Sequence, residues 1–171
     1  MTMTTPILAL LLSHHPPVQH NRTLCLRPTR NLRIRLCARC TGEAAGLVVT
    51  LCFLHHLAAW PDRVVFILAT ILALPAIVDW STQAMEWRDS TNWLRLITGA
   101  MFASGCVMIG HFLLLGRFAL FAAGLGTVAV FGLTAFKLLQ RAGAIDRVLL
   151  PFEAYAESLL DRTQHSGMGS G

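Results

Sequence analysis

Residues 93–115 read WLRLITGAMFASGCVMIGHFLLL, Gly116-Arg117 follow, and residues 118–136 read FALFAAGLGTVAVFGLTAF. Each apolar run is long enough to cross a bilayer, since about 20 residues in a helix span ~30 Å of hydrocarbon. The runs are continuous and do not alternate, which predicts helices and excludes barrel strands. A two-residue turn between them predicts an antiparallel helix pair. Working outward, residues 64–80 form a shorter apolar run that ends at Asp79 and contains Pro75. Residues 42–60 form another, closed by Asp62-Arg63. Gly42 and Gly46 open it with a GxxxG pattern, which allows close approach of a neighbouring helix. The fold class expected is therefore all-α, an integral membrane bundle of about four transmembrane helices.

Composition agrees with this reading. The chain is 54% hydrophobic and 13% charged, against roughly 45–50% and 25% in soluble domains. The fourteen basic residues fix the expected orientation. With the amino terminus inside, twelve of them fall on the inner side and only Arg63 and Arg117 outside. That is the asymmetry of the positive-inside rule, and it requires an even number of spans with both termini cytoplasmic. Trp60 would then mark the outer interface, and Trp80, Trp87 and Trp93 the inner one. A multi-pass protein of the cell's inner (plasma) membrane is expected. Six arginines lie between Arg22 and Arg39. Because they abut a span, they predict anionic lipid headgroups as partners. No recognition module accompanies them, so no nucleic acid partner is expected.

The chain divides into a membrane domain, residues 1–140, and a juxtamembrane segment, residues 141–164, followed by a tail, residues 165–171, expected to be disordered. Within the first, residues 13–41 form a Cys/His/Arg-rich amino-terminal segment. The opening MTMTTPILALLLS lacks a basic region and a cleavage site, and is expected to lie in or on the membrane. Residues 144–162 combine apolar Val148, Leu149, Phe152, Tyr155, Leu159 and Leu160 with charges. They predict an amphipathic helix on the membrane surface, interrupted at Pro151.

Three constellations carry candidate chemistry. The first is the CxxC pair Cys37 and Cys40. Two sulfurs at this spacing supply half of a zinc site or a redox pair. His14, His15, His20 and Cys25 precede it on the same side of the membrane, and the expected metal set is Cys37, Cys40, His14 and Cys25, with zinc as the candidate cofactor. Glu43, three residues after Cys40, shares its helix face. The second is Asp79 with Gln83, four residues apart on one face. An acid at the end of a membrane helix requires a partner or water. The third is Arg88-Asp89-Ser90-Thr91-Asn92 followed by Arg95 and Thr98-Gly99, with Ser90 or Thr91 as helix cap. Asp79 is the expected partner of Arg95. An anionic headgroup or phosphate is the alternative, held in the forked geometry of guanidinium.

Taken in order, these features resemble a family of small membrane proteins of bacteria and archaea, the domain of unknown function 2085 family. Its pattern runs Cys-His, CARCTG, an Asp then a Gln in a Pro-containing span, and R-x-STN-x-x-R-x-x-TG. The matches here are His14, Cys37 to Gly42, Pro75, Asp79, Gln83, Arg88, Ser90-Thr91-Asn92, Arg95 and Thr98-Gly99, and the resemblance covers residues 13–110. Ser13 and Glu43 depart from the pattern, and the stretch from His14 to Cys37 is longer. The resemblance implies a shared membrane fold and a shared site at the inner face.

The sequence therefore predicts a metal- or thiol-dependent membrane enzyme acting on a lipid-linked or phosphorylated substrate. Asp79, Gln83 and Asn92 are its candidate catalytic residues, and Arg88, Arg95 and Arg39 its substrate-binding ones. Two other classes stay open. One is a small transporter or metal-handling protein using His55, His56 and His111 as an outer polar patch. The other is a non-catalytic subunit whose zinc knuckle docks a partner. Association into a homo-oligomer or with a membrane partner is compatible with all three.

Overall fold

A computed structural model describes residues 17–29 and 32–168. A 3-10 turn, Pro17–Arg22, leads into an antiparallel hairpin of β1, Thr23–Thr29, and β2, Leu32–Cys37. Five helices follow: α1, Ala38–Leu57; α2, Asp62–Ala84; α3, Asn92–Leu114; α4, Phe118–Arg141; and α5, Ala144–Met168. The first four are long and apolar enough to cross a membrane, so the expected bundle of four spans is present. At 1.5 Å per residue, the 23 residues of α3 reach roughly 34 Å. Large apolar side chains such as Val48, Ile67, Ile97 and Val130 point outward, where a bilayer would solvate them.

Helix α3 is the most buried of the four, and its small residues explain why. Gly42 and Gly46 of α1 pack against the backbone carbonyls of Leu96 and Ala100, so closely that neither position has room for a Cβ. Gly99 faces the Arg39 carbonyl in return, and Gly105 packs against Ala69 and Ala73 of α2. Without water to expel between helices, dispersion across such backbone contacts is the main attraction. Toward one end of the bundle, Leu57, Val65, Ala69, Met108, Ile109 and Phe112 form a shared core. At that end Arg117 pairs with Asp62, which ties the α3–α4 turn to the start of α2. At the opposite end, Ala84, Leu139 and Ala144 hold α5 against α2 and α4.

Three boundaries differ from those the sequence predicts. Helix α2 does not stop at Asp79. It continues through Pro75 to Ala84, because its polar last turn is hydrogen-bonded to its own backbone. Thr82 Oγ1 donates to the Val78 carbonyl and Gln83 Nε2 to that of Asp79, each at 2.9 Å. Helix α5 runs through Pro151 and on to Met168, so residues 165–168 are helical. The segment before α1 contains a hairpin, an addition to the all-α expectation. The expected amino-terminal membrane segment, with His14 and His15, lies outside the described residues.

Helices α2 and α3 both end in one motif. After α3, the Gly116 amide donates to the Leu113 carbonyl and the Arg117 amide to that of Phe112, with Gly116 at φ +70°. After α2, the Glu86 amide donates to Gln83 and the Trp87 amide to Thr82, but the left-handed position, φ +59°, is held by Glu86. This is the Schellman arrangement, in which glycine is the usual occupant. Here it turns the chain sharply enough to bring Arg88 back over the end of α2.

Candidate functional site

Asp79 lies one turn before the end of α2 and is only 2% exposed. A buried carboxylate requires several donors, and three elements supply them. Arg39, in the first turn of α1, donates from Nη2 to Oδ2 at 2.6 Å. Arg88, in the loop after α2, donates from Nη2 to Oδ1 at 2.7 Å and from Nε to Thr82 Oγ1 at 3.1 Å. Gln83, one turn further along α2, donates from Nε2 to Oδ2 at 2.7 Å. Ser90 is a further side-chain hydrogen-bond partner. The carboxylate is therefore the knot joining α1, α2 and the 85–91 loop.

Arg95 is not the direct partner of Asp79. Gln83 stands between them, and its Oε1 accepts from Arg95 Nε at 3.0 Å and Nη2 at 2.9 Å. Arg95 Nη1 reaches Asn92 Oδ1 at 3.4 Å, and Asn92 Nδ2 donates to the Thr23 carbonyl at 3.3 Å. The reason is that the carboxylate is fully occupied. Both oxygens of Asp79 already accept from Arg39, Arg88 and Gln83, which leaves Arg95 with amide oxygens. Among the described residues it makes no ion pair, although it is 8% exposed. Thr91 caps the helix that carries it by accepting from the Leu94 amide at 3.3 Å, which resolves the choice between Ser90 and Thr91.

Arg95 lines a cavity of about 250 Å³ together with Arg22, Arg39, Gln19, Gln83 and both cysteines. Trp80 and Ala84 of α2 and Val148 and Phe152 of α5 form its apolar wall. No carboxylate is among the lining residues; the like charges of Arg22 and Arg39 act on Arg95, and the charge of Asp79, behind the lining, opposes them. Cys37 ends β2 and is buried. Cys40 is exposed one turn into α1, and the two side chains are hydrogen-bonded to each other. The substrate-binding expectation thus divides. Arg39 and Arg95 line the cavity, whereas Arg88 lies outside its lining and braces Asp79. Asp79 and Asn92 also stand behind the lining.

The expected metal set does not assemble among the described residues, which contain no group of three Cys, His, Asp or Glu side chains placed to hold an ion. Cys25 is exposed and lies opposite Arg35 in the hairpin, two residues beyond the Thr23–Cys37 pair. His14 lies outside the described residues. Two sulfurs alone do not fit a zinc ion, which takes four ligands in structural sites. At the far end, His55 and His56 are exposed with ring centroids 3.6 Å apart, while His111 is buried and neither ring nitrogen has a hydrogen-bond partner among the described residues. Sequence reasoning assigned no role to Gln19, placed Val148 and Phe152 on the apolar face of a membrane-surface helix, and counted Arg22 only as part of a basic run. Their placement depends on the hairpin and on the docking of α5, neither of which a local motif encodes.

The profile of a family described as predicted membrane protein (DUF2085) matches residues 19–109. The chain belongs to this family. The matched segment includes the hairpin, both cysteines and every residue of the Asp79–Arg95 network, and it ends within α3. Helices α4 and α5 lie beyond it. An uncharacterized protein of Methanothermobacter thermautotrophicus is 30% identical over 94 residues, covering 52% of this chain and 85% of that relative. No solved structure matches the chain.

Proposed function

We propose that this membrane protein binds the phosphate-type anionic group of a lipid-linked or phosphorylated substrate in the cavity around Arg95. One observation carries this reading: a buried guanidinium with no carboxylate partner among the described residues, in a cavity lined by two further arginines. A charge held inside a membrane domain is expensive unless it is compensated. A guanidinium binds phosphate oxygens through paired N–H donors. Gln83 and Asn92 fix the orientation of Arg95, so its remaining donors are preorganised. Asp79, bonded on both oxygens, is a positioning residue and a poor general base, and this replaces the catalytic role expected of it. The side chains of Cys37 and Cys40 also line the cavity. We place this end of the bundle in the cytoplasm of a cell membrane on the strength of its arginine excess.

The test is calorimetric titration of inorganic phosphate and glycerol phosphate into protein in a neutral detergent. Wild type is expected to bind both, more weakly at high salt, and Arg95→Gln to lose at least about tenfold in affinity, since a charged hydrogen bond contributes roughly 1.5–3 kcal/mol. Equal affinity in wild type and variant, or no binding by either, would overturn the reading.

A further inference from the structure

The cationic cavity adjoins the flank of the α1–α3 pair at Cys40. Cys40 lines it and also lines a second hollow of about 550 Å³, which opens between α1 and α3. Ala44 and Leu47 of α1 and Phe102, Ala103 and Val107 of α3 form its walls. This hollow runs along two membrane-spanning helices, is larger than the cavity and is largely apolar. Its one charged lining residue, Glu43, lies one helical turn deeper than Cys40. A carboxylate there disfavours an anion in the groove and favours it among Arg22, Arg39 and Arg95. A third hollow of about 300 Å³, lined by Gly46, Leu72, Ala100 and Ser104 among others, shares no lining residue with the cavity.

Resting on the anion-binding reading, we infer that the ligand is a membrane amphiphile. Its phosphate-type head occupies the arginine cavity, its hydrocarbon chain lies in the α1–α3 groove, and the junction of head and chain lies beside the Cys40 thiol. A soluble phosphorylated metabolite would use the cavity and leave the groove to bulk lipid. The polarity sequence argues for the amphiphile: three guanidiniums, then a thiol at the shared edge, then a carboxylate barrier, then an apolar trough of membrane-facing residues.

The test uses the full-length protein in neutral-lipid nanodiscs with a long-chain alkyl phosphate bearing a photoactivatable diazirine at mid-chain. Crosslinked peptides are then mapped by mass spectrometry. Labelling is expected to concentrate on Leu47, Phe102 and Val107, to fall at least fivefold in Arg95→Gln, and to be displaced by excess inorganic phosphate. The corresponding alkyl alcohol is expected to label all lipid-facing helices, α4 included. If phosphate displaces the probe but labelling is spread over the bundle or falls on the α2-facing hollow, the chain assignment fails and the anion site stands. If neither Arg95→Gln nor phosphate changes the labelling, the anion-binding reading fails with it.

Discussion

Asp79 and Arg95 lie in one network, yet removing their charges is expected to have opposite effects. Asp79→Asn keeps the size of the side chain but leaves Arg39 and Arg88 without their acceptor. Breaking a buried pair from one side costs about 3–5 kcal/mol. Arg88 is 38% exposed, so solvent takes up part of that loss. A destabilisation of about 3 kcal/mol is expected, read as a lower unfolding midpoint in detergent. Arg95→Gln removes a buried charge that has no carboxylate partner among the described residues. The ligand-free variant is expected to be as stable as wild type or up to about 2 kcal/mol more stable, while anion binding is lost. If Asp79→Asn unfolds no more readily than wild type, the three-donor knot is not what holds this end together. Glu86 offers a third residue-level test. A non-glycine residue in the left-handed region costs roughly 1 kcal/mol, so Glu86→Gly is expected to raise the midpoint modestly. A lower midpoint would mean that the Glu86 side chain makes a compensating contact.

The elements hold together through a few close approaches, and those are where substitution tells most. Gly42→Val and Gly46→Val each push a side chain into the α3 backbone, and a loss of at least about 2–3 kcal/mol is expected. Gly126→Ala and Gly132→Ala on α4, where nothing lies within 4 Å of the added Cβ, are expected to be neutral or to gain about 0.5–1 kcal/mol. Denaturant titration of the four variants separates the classes, and equal effects in both would contradict the assigned α1–α3 interface. The GxxxG signal was legible because small residues four apart imply a close helix contact in a membrane. The hairpin was also written in the sequence. Thr23-Leu24-Cys25-Leu26-Arg27 and Leu32-Arg33-Ile34-Arg35-Leu36 alternate with period two, but the density of arginine drew the reading toward a lipid surface. The apolar run ends at Asp79, but the side chains of Thr82 and Gln83 bond back to the helix and carry it on to Ala84.

At the scale of the whole molecule, the spans were legible from length and apolarity alone, while the pairing within the site was not. Which guanidinium reaches Asp79 depends on a sharp turn at Glu86 and on the approach of α1 to α3, and both are properties of the assembled bundle. The docking of α5 over the cavity is also a tertiary outcome, since Val148 and Phe152 carry no local mark of a binding wall. The arrangement makes a topological prediction. In a background without native cysteines, Arg63→Cys and Arg117→Cys are expected to react with a membrane-impermeant maleimide on intact cells. Arg35→Cys is expected to react only after permeabilisation. The reverse pattern would place the cavity on the outer face.

Whether Arg95 holds an anion can be read by native mass spectrometry. Wild type extracted gently from the membrane into a neutral detergent is expected to carry an adduct with the mass of a phosphate-bearing amphiphile, at about one per chain. The same preparation of Arg95→Gln is expected to fly as the bare chain. An adduct retained equally by Arg95→Gln, or bare wild type even after addition of excess alkyl phosphate, would mean that Arg95 holds no anion.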